Sequence, residues 1–462
     1  MSNKPEKLVR LNNPVLQMSS VLVGQGAVYP QFNPTQYSID NMQHNKAYFY
    51  AIQGKESLKE EILDEMRQEY SSYRTNWIKQ PRECIDKKVD NKKLFELGYK
   101  PLCIDLETAS ICDLACPFCD RQFIATPDKT MPMNLAKKII TEAGHLSVPS
   151  MKFNWRGEPL LHPKLPELID YAKRVGILET IVNTNATELT EKKSIQLIDS
   201  GLDSMIYSFD GGTKETYEKN RPGRFKENTF EHVYGNIRKF AETRKKLGRK
   251  FPRTRIQMIL MEETFEEQEN FYSLFNDCVD EIIVKPYTER GGSLSELELT
   301  VEESKKYEAM RGELESKGKG DLPYMKDSAG NLWVSSSRIG CEQPYQRLMI
   351  TYDGKVGMCC YDWGSGKHPV GYISDASFDE PDKEYKKIIT KVKQQHKGFE
   401  LLQDVKITPA YNYPPNKVQT IKDLWVGDEI NKVREKHQNG KVDDVKICEG
   451  CTFKDTYHWV EV

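Results

Sequence analysis

The stretch ICDLACPFCD at residues 111–120 contains Cys112, Cys116 and Cys119 in a CxxxCxxC pattern. Directly before it, residues 103–107 alternate apolar and polar side chains, which is typical of the end of a strand. Thiolates at this spacing suit a cubane iron–sulfur cluster, because its corners lie a few Å apart and cysteine sulfur holds them well. Three ligands to a [4Fe–4S] cluster leave one iron open for a small molecule, whereas an electron-carrying cluster would use a fourth cysteine.

With the aromatic Phe118 directly before its last cysteine, this run resembles the signature of the radical S-adenosylmethionine (radical SAM) superfamily. The resemblance implies that Cys112, Cys116 and Cys119 hold a [4Fe–4S] cluster. It also implies that the open iron binds the amino and carboxylate groups of SAM and that Phe118 packs near the adenine. A zinc site is the alternative, but zinc usually takes four ligands in CxxC pairs, which fits this spacing poorly.

Length and composition favour a soluble globular protein of two or three domains, since the chain has 462 residues, 38% of them hydrophobic and 29% charged. The net charge of −2 implies no nucleic-acid partner, and no apolar run is long enough to span a bilayer. The mildly apolar residues 15–23 lack the features of a signal peptide. We therefore expect a cytoplasmic protein without a membrane partner, whose eleven cysteines bind metal instead of forming disulfides.

Between residues 100 and 290, short apolar runs alternate with amphipathic helical stretches. This alternation predicts parallel βαβ units, for which an open parallel barrel with its chemistry at the carboxyl ends of the strands is the natural closure. The alternation alone does not select a barrel over a doubly wound sheet, but the resemblance implies a partial (β/α)6 barrel. The predicted strands are residues 103–107, 151–155, 180–184, 204–209, 254–260 and 281–285.

The predicted fold class is α/β, with this partial parallel barrel at residues 101–290. A mostly helical N-terminal extension, residues 1–100, precedes the barrel. Residues 291–330 combine glycines with an acidic helical stretch and are expected to form a linker or cap. A small C-terminal cluster-binding domain is expected at residues 331–462.

One long helix is predicted in the extension, from Ser57 to about Lys79, begun by a capping box of Ser57 and Glu60. Its apolar side chains recur at helical spacing and predict a face that packs against the following domain, with a partner-binding helix as the alternative. This stripe comprises Leu58, Ile62, Met66, Tyr70, Tyr73 and Trp77.

The sequence WRGEP at residues 155–159 follows the second predicted strand and resembles the superfamily's Gly-Gly-Glu-Pro motif. The resemblance implies that Gly157 and Glu158 bind the ammonium group of SAM through backbone and carboxylate. Arg156 stands where the superfamily has its first glycine, a departure that leaves Glu158 in register. By itself, Gly-Glu-Pro is also typical of an ordinary turn.

Polar residues also follow the third and fourth predicted strands. Asn185, in the sequence NTNAT, resembles part of the superfamily's Thr-Asn-Gly turn. In similar enzymes a serine and an arginine hold the SAM carboxylate, which here implies Ser208 and Arg221, and the fork of an arginine suits a carboxylate. The resemblance places polar groups of the fourth strand end near the ribose, Asp210 among them. Turns or helix caps are the alternative for each stretch.

A second group of cysteines lies toward the C terminus and comprises Cys341, Cys359, Cys360, Cys448 and Cys451. The residues between Cys341 and Cys359 predict a β-hairpin with an Asp-Gly turn. Such a hairpin places the two cysteines that flank it near each other. The last two form a CxxC knuckle of the type that grips a metal. By spacing alone, four such thiolates suit structural zinc and an iron–sulfur cluster equally.

This layout resembles the SPASM/twitch C-terminal domain of many radical SAM enzymes, which holds auxiliary [4Fe–4S] clusters. The resemblance implies a single auxiliary cluster with Cys341, Cys359, Cys448 and Cys451 as ligands. Cys360 is then a passive thiol, an alternative ligand, or the catalytic thiol that returns a hydrogen atom to a substrate radical.

The resemblance also implies a reaction, in which SAM is cleaved reductively and the radical so formed takes a hydrogen atom from a substrate. A low-potential donor such as a flavodoxin or ferredoxin would supply the electron. Dehydrogenation or epimerisation would follow, and similar single-auxiliary-cluster enzymes imply a small polar, carbohydrate-like substrate. Lys285, Glu289 and Asp362 are candidate acid–base groups.

Two other functions stay open at this point. One is a radical SAM maturase that modifies a peptide or protein. The other is a non-enzymatic zinc-binding protein with two structural sites, although it leaves the stretches around Glu158, Ser208 and Arg221 unexplained.

Overall fold

The structure is a computed structural model, and the predicted linker or cap at residues 291–330 lies outside its described part except for one short strand. The described residues are 32–119, 121, 128–261, 264, 266–286, 324–326, 332–335, 340–362, 369–375, 418–449 and 459–461.

Helices and strands alternate through most of the described chain. The α-helices are α1 (Pro34–Asp40), α2 (Lys46–Ala51), α3 (Lys59–Asp86), α4 (Met133–His145), α5 (Leu165–Arg174), α6 (Glu191–Ser200), α7 (Lys214–Asn220), α8 (Phe230–Lys246), α9 (Gln268–Phe275), α10 (Gln343–Gln346), α11 (Ile421–Trp425), α12 (Asp428–Gln438) and α13 (Lys446–Glu449). The strands are β1 (Cys103–Leu106), β2 (Ser150–Lys152), β3 (Glu179–Thr184), β4 (Ser204–Ser208), β5 (Arg253–Leu260), β6 (Glu281–Pro286), β7 (Tyr324–Lys326), β8 (Leu332–Ser335), β9 (Arg347–Ile350), β10 (Lys355–Gly357), β11 (Pro369–Tyr372) and β12 (Trp459–Glu461).

Strands β1 to β6 lie side by side in chain order, and each pairs in parallel with the next. At least one helix lies between each pair of successive strands. The predicted parallel α/β fold and its six strands are therefore confirmed, with boundaries within a few residues of those predicted.

The C-terminal hairpin continues this sheet instead of standing apart from it. Strand β9 pairs in parallel with β1, so that Cys103 lies opposite Arg347. Strands β10 and β11 follow in antiparallel order and complete a nine-stranded sheet. The predicted Asp-Gly turn is confirmed, with Gly354 at a positive φ of 90° that favours glycine. Strands β7, β8 and β12 form a separate three-stranded sheet.

The two faces of the main sheet differ in character because alternate side chains of a strand point to opposite sides. One face packs on the helices in the main hydrophobic core, with Ile104, Met151 and Val182 among its buried residues. The residues of opposite parity, such as Asp105 and Asn183, lie on the other face. The sheet thus has an apolar side covered by helices and a second side, here called the polar face, on which polar residues such as Asp105 and Asn183 lie.

The long helix α3 runs from Lys59 to Asp86, so it starts later and ends further along the chain than predicted. The predicted capping box at Ser57 is wrong, because Ser57 lies within a 3₁₀ turn that leads directly into the helix and leaves no side-chain cap. Leu58, assigned to the packing stripe, is 46% exposed for the same reason.

The rest of the predicted packing face is confirmed. Met66, Tyr70 and Tyr73 are buried. The hydroxyls of the two tyrosines donate to Oε1 and Oε2 of Glu179 at 2.8 Å each. Glu179 also pairs with Arg253, and these two residues are the first of β3 and β5. Helix α3 therefore covers the amino-terminal end of the strands, opposite the end expected to carry the chemistry.

Glu179 provides a test of how much α3 stabilises the barrel. Burial raises the pKa of this carboxyl, but Arg253, Arg74 and the two tyrosine hydroxyls together lower it from 4.5 to about 2. Because the folded pKa is depressed, the stabilisation is complete above about pH 4.5 and is lost as the pH falls toward 2. We expect Glu179→Gln to lower the free energy of unfolding at pH 7 by about 3 kcal/mol.

Urea denaturation at pH 7 and pH 3 measures this effect, and the deficit of the variant should be smaller at pH 3. Glu61→Gln, on the exposed side of the same helix, is the matched control and should be nearly neutral. Equal stability of the two variants at pH 7 would contradict this account.

The C-terminal helices pack against α3 and the sheet. The side-chain amide of Gln80 donates to the carbonyl oxygen of Tyr345 at 2.7 Å, and that of Gln346 donates to Trp77 at 2.7 Å. The described parts of the N- and C-terminal regions therefore hold one another in place. Over the described residues, no helix combines the length and apolar character needed to cross a membrane.

Candidate active site

The cysteine loop, residues 109–119, follows β1 at the carboxyl end of the sheet. Cys116 is buried, whereas Cys112 and Cys119 are half-buried. The backbone N–H of Cys119 donates to the carbonyl oxygen of Cys116 at 3.1 Å, which makes a tight turn. Phe118, predicted to pack near the adenine of SAM, is half-buried within this turn.

A segment that follows α7 holds the cysteine loop in place. The backbone N–H of Ala115 donates to the carbonyl oxygen of Pro222 at 2.8 Å. The backbone N–H of Arg224 donates to the carbonyl oxygen of Asp113 at 2.7 Å. These two hydrogen bonds fix the backbone of the cysteine loop against the segment that begins directly after Arg221.

The three cysteines lie near enough to influence one another. Burial raises the pKa of the Cys116 thiol, Arg221 lowers it, and the charges of Cys119 and Cys112 raise it further. None of the described cysteines forms a disulfide, and no three Cys, His, Asp or Glu side chains among the described residues are placed to hold a single metal ion. The three thiols of this loop are the donor set that an iron–sulfur cluster with one open iron takes, one thiolate per iron.

Gly157 and Glu158 join the cysteine loop to the end of β3. A Cβ atom at Gly157 would lie 2.2 Å from the carbonyl oxygen of Ala109, so only glycine permits this close approach. The carboxylate of Glu158 accepts hydrogen bonds from Thr184 Oγ1 at 2.7 Å and from the backbone N–H of Asn185 at 2.8 Å. The two residues therefore lie against the loop, and their role in binding the SAM ammonium group stays a prediction.

Asn185 binds Asp113, a residue that sequence analysis did not single out. The side-chain partners of Asp113 lie 72 or more residues further along the chain, so no local pattern indicates it. Asn185 Nδ2 donates to Asp113 Oδ1 at 2.8 Å, and Thr187 Oγ1 donates to Oδ2 at 2.5 Å. Burial, followed by the charge of Asp113, raises the pKa of Glu158 to about 7. Two buried carboxyl groups beside the loop favour a cation such as an ammonium group at this place.

Asp210 and Arg221 pair just beyond the end of β4, whose last residue is Ser208. The guanidinium of Arg221 donates through Nε to Asp210 Oδ2 at 2.8 Å, and Asp210 Oδ1 accepts the backbone N–H of Ile259 at 2.7 Å. Ser208 Oγ accepts a hydrogen bond from Gln257 Nε2 at 3.2 Å. Arg221 thus has a carboxylate partner within the chain, and its predicted contact with the SAM carboxylate stays a prediction.

Arg156, which departs from the superfamily motif, binds Glu107 at the end of β1. Its Nε and Nη2 atoms donate to the two carboxylate oxygens at 2.6 and 2.8 Å. Glu107 Oε2 also accepts the backbone N–H of Tyr352 in the C-terminal hairpin at 3.1 Å. Trp155 Nε1 donates to the carbonyl oxygen of Cys360 at 3.1 Å. These contacts fix the hairpin at the strand ends that carry the cysteine loop.

The predicted catalytic thiol, Cys360, lies close to the cysteine loop. Trp155 belongs to a small buried cluster on which both Cys119 and Cys360 pack. Burial lowers the pKa of Arg347. The charge of Asp105 and, more weakly, that of Cys360 raise it, so the pKa of Arg347 is raised overall. Cys360 is therefore near both the loop and the polar face of the sheet, and its catalytic role stays a prediction.

The structure brings Cys341 and Cys448 together at a histidine. The backbone N–H of Cys341 donates to His437 Nδ1 at 2.8 Å, and the sulfur of Cys448 lies 3.7 Å from Nε2 of the same ring. Cys359 is buried on strand β10's side of the hairpin, and Cys451 lies outside the described residues. The predicted set of four ligands stays a prediction, and sequence analysis did not find His437.

Of the candidate acid–base groups, only Asp362 has a described side chain, and it is buried. Burial lowers the pKa of the nearby Lys355, while Asp353 and Asp362 are among the carboxyl groups that raise it. Glu289 and the side chain of Lys285 lie outside the described residues.

Comparison with family models assigns the class of protein. Residues 106–275 match the model of the Radical SAM superfamily, and residues 341–400 match the model of SPASM, an iron-sulfur cluster-binding domain. Residues 106–275 are therefore a radical SAM domain, and residues 341–400 are a SPASM domain. The first domain implies a [4Fe–4S] cluster and SAM as cofactors, and the second implies further iron–sulfur binding, which disfavours the zinc alternatives.

Individual relatives match smaller parts of the chain. A GTP 3′,8-cyclase of Chlorobaculum tepidum is 28% identical over 25% of this chain and 34% of its own length. A PqqA peptide cyclase of Bradyrhizobium diazoefficiens is 31% identical over 24% of this chain and 29% of its own length. The chain thus spans about a third of the length of these curated relatives. The structure of BtrN in complex with AdoMet and 2-DOIA is 15% identical, covering 76% of this chain and 92% of BtrN at a TM-score of 0.39.

Proposed function

We propose that this protein is a radical SAM oxidoreductase or epimerase that acts on a small polar substrate. When bound, the [4Fe–4S] cluster and SAM supply a 5′-deoxyadenosyl radical that takes a hydrogen atom from an unactivated C–H bond. The observation that carries the proposal is the convergence of the cysteine loop, Glu158 and Arg221 at the carboxyl end of the parallel strands.

The side chains around the cysteine loop have the charges that the two ends of an amino acid require. Glu158 and Asp113 present carboxyl groups that favour an ammonium group. Arg221 places a positive charge beside Cys116 and, with five donors, can bind a carboxylate in addition to Asp210. The chain's own contribution is thus to bind and orient the methionine part of SAM next to the three cysteines.

The polar face of the sheet supports a substrate with many hydrogen-bond donors. The side-chain oxygens of Asn183 and Gln257 are buried and have no hydrogen-bond partner within the described part of the chain. Leaving a buried acceptor unsatisfied costs about 1–3 kcal/mol, so a ligand that supplies donors is favoured at these atoms. Hydroxyl and amino groups of a sugar, amino sugar or aminocyclitol provide such donors.

Asn183→Leu tests this substrate site. We expect the KM for the substrate to rise about 10-fold to 100-fold, because the lost hydrogen bond leaves a donor unpaired, while the affinity for SAM is retained. A panel of sugars, amino sugars and aminocyclitols, screened for substrate-dependent formation of 5′-deoxyadenosine, identifies the substrate first. The exposed Asn276 provides the control variant Asn276→Leu, and an unchanged KM in Asn183→Leu would contradict the assignment.

Cys360 decides between epimerisation and dehydrogenation in this proposal. In an epimerisation its S–H bond breaks homolytically and the hydrogen atom passes to the substrate carbon radical. The thiyl radical left on sulfur is restored by one electron from a low-potential donor and one proton from water. Because a thiol proton exchanges with solvent, the product formed in D₂O should carry one deuterium at the inverted carbon.

We expect Cys360→Ser to abolish the deuterium label and the inverted product while 5′-deoxyadenosine still forms, since a serine O–H bond is too strong to give up a hydrogen atom. Mass spectrometry of product and 5′-deoxyadenosine measures both. Cys278→Ser is the control, because Cys278 donates to the carbonyl oxygen of Phe275 and lies before the amino-terminal end of β6, away from the carboxyl ends of the strands. Label incorporation that persists in Cys360→Ser would show that another group donates the hydrogen atom, and an oxidised product would favour dehydrogenation.

A radical SAM maturase acting on a peptide is the second candidate, and the match to a PqqA peptide cyclase favours it. Main-chain N–H groups of a peptide would also satisfy the oxygens of Asn183 and Gln257. The same screen, with a set of peptides added to the panel, separates the two candidates, because a maturase would form 5′-deoxyadenosine in response to peptides and not to small polyols.

A further inference from the structure

We propose that His437 is a positioning residue of the auxiliary cluster, whose imidazole donates a hydrogen bond to the sulfur of Cys448 and fixes the backbone at Cys341. This inference rests on the auxiliary [4Fe–4S] cluster in the proposed function. His437 is fully buried in the last turn of α12 and lies 3.7 Å from the Cys448 sulfur through Nε2.

The hydrogen bond from Cys341 determines where the proton of the ring lies. A backbone N–H can only donate, and that of Cys341 points at His437 Nδ1 at 2.8 Å. Nδ1 must therefore accept, so the proton of the neutral ring is on Nε2. The Nε2–H group faces Cys448, and a neutral histidine in this tautomer is a hydrogen-bond donor to the sulfur.

The same tautomer argues against His437 as a cluster ligand. A ligating imidazole offers an unprotonated nitrogen to the metal and usually donates its other N–H to a nearby acceptor. In His437 one nitrogen is occupied as an acceptor by the Cys341 N–H and the other carries the proton. The ring is thus placed beside the predicted ligands Cys341 and Cys448 as the group that orients them.

The surroundings of His437 hold the ring in a fixed position. A Cβ atom at Gly340 would lie 3.1 Å from the His437 carbonyl oxygen and 3.2 Å from its Cβ, so the residue before Cys341 runs tightly along α12. One turn earlier, Arg434 donates to the carbonyl oxygen of Pro344 through Nε at 3.0 Å. Gln438, the next residue, donates to the carbonyl oxygen of Cys84 at 2.9 Å.

An N–H···S bond changes the reduction potential of a cluster in a known direction. Reduction places more negative charge on the sulfurs, and a donor stabilises that charge, so the bond raises the potential. Loss of the donor should lower the potential of the auxiliary cluster and remove one exchangeable proton near it, without removing a ligand.

The experiment uses the full chain with Cys112, Cys116 and Cys119 replaced by alanine, so that only the auxiliary cluster contributes to the spectra. Two substitutions at His437 separate its two contacts. The oxygen of His437→Asn can replace Nδ1 as the acceptor for Cys341, but no donor reaches Cys448. The amide N–H of His437→Gln lies near the former Nε2 and can still donate to the sulfur.

The first two measurements are the iron bound per chain and the midpoint potential of the auxiliary cluster from an EPR-monitored redox titration. The third is the magnetic coupling of protons to the cluster, compared before and after transfer to D₂O to identify the exchangeable ones. We expect about four irons per chain in the parent and in both variants. His437→Asn should have a lower midpoint potential and lack the exchangeable-proton coupling, whereas His437→Gln should resemble the parent. His145→Asn, an exposed histidine on α4, is the control.

Equal potentials and proton couplings in the parent and His437→Asn would overturn the proposal. Strong nitrogen coupling in the parent, or loss of iron in both variants, would show that the imidazole is a ligand or a structural requirement and would also overturn it. A parent without iron in the C-terminal site would refute the auxiliary cluster itself, and that result is distinct because it appears before any change at His437.

Discussion

Replacing Cys112, Cys116 and Cys119 together by alanine should reduce the iron bound per chain from about eight to about four after anaerobic reconstitution. These cysteines are the thiols of the loop after β1, and each is expected to bind one iron, so no ligand remains for the first cluster. The C-terminal cysteines lie on other elements and should keep their cluster. Iron and acid-labile sulfide analysis, with the absorbance of the cluster, measures the loss.

Cys278→Ala is the control for the loss of a cysteine as such, because Cys278 packs on the hydrophobic core and bonds the carbonyl oxygen of Phe275. It should retain about eight irons. Four irons falling to none would show that the C-terminal site holds no cluster, which would contradict the auxiliary cluster of the proposed function. A wild-type protein that binds zinc and no iron would contradict the cluster assignment at both sites.

Arg156→Gly, which restores the glycine of the superfamily motif, should lower the free energy of unfolding by about 3–5 kcal/mol. Arg156 and Glu107 are both buried and form two hydrogen bonds of 2.6 and 2.8 Å, so removing the arginine leaves a buried carboxylate without its cation. Because Glu107 also accepts the backbone N–H of Tyr352, the C-terminal hairpin should loosen as well. Denaturant unfolding measures the first effect and hydrogen exchange of the hairpin the second.

The double variant Glu107→Gln with Arg156→Gly distinguishes loss of the ion pair from loss of packing. It should be more stable than Arg156→Gly alone, since a neutral amide is less costly to bury than a carboxylate. Lys432→Ala removes the cation of an exposed pair with Glu429 and should change stability by less than about 1 kcal/mol. An effect of Arg156→Gly no larger than that of Lys432→Ala would contradict the role given to Arg156.

Sequence analysis predicted the six parallel strands and the helices between them because that information is local. The strands from Cys103 to Pro286 and the helices between them follow periodic patterns of apolar residues, and the cysteine loop follows a spacing that is visible without a structure. The pairing of β9 with β1 was missed, because two strands separated by the entire barrel leave no mark on either sequence. The predicted capping box at Ser57 was wrong for the opposite reason. The local pattern is present in the sequence, but the structure forms a 3₁₀ turn at Ser57 instead of a helix start.

Within the candidate site, sequence analysis found the residues that belong to a known motif. It did not find the residues that hold those motif residues in place. Asp113, Glu107 and His437 each act through partners far away in the chain, so no spacing indicates them. Arg156 was noticed as a departure from a motif, but only the structure shows that its partner is Glu107. Supporting residues of this kind depend on three-dimensional contacts that a single sequence does not record.

Reductive cleavage of SAM tests the central claim most directly. The reconstituted wild-type protein, reduced by dithionite under anaerobic conditions, should convert SAM to 5′-deoxyadenosine and methionine, as measured by liquid chromatography with mass spectrometry. The Cys112/Cys116/Cys119→Ala variant should form neither product. Wild-type protein that carries its full complement of iron and still forms no 5′-deoxyadenosine would contradict the account.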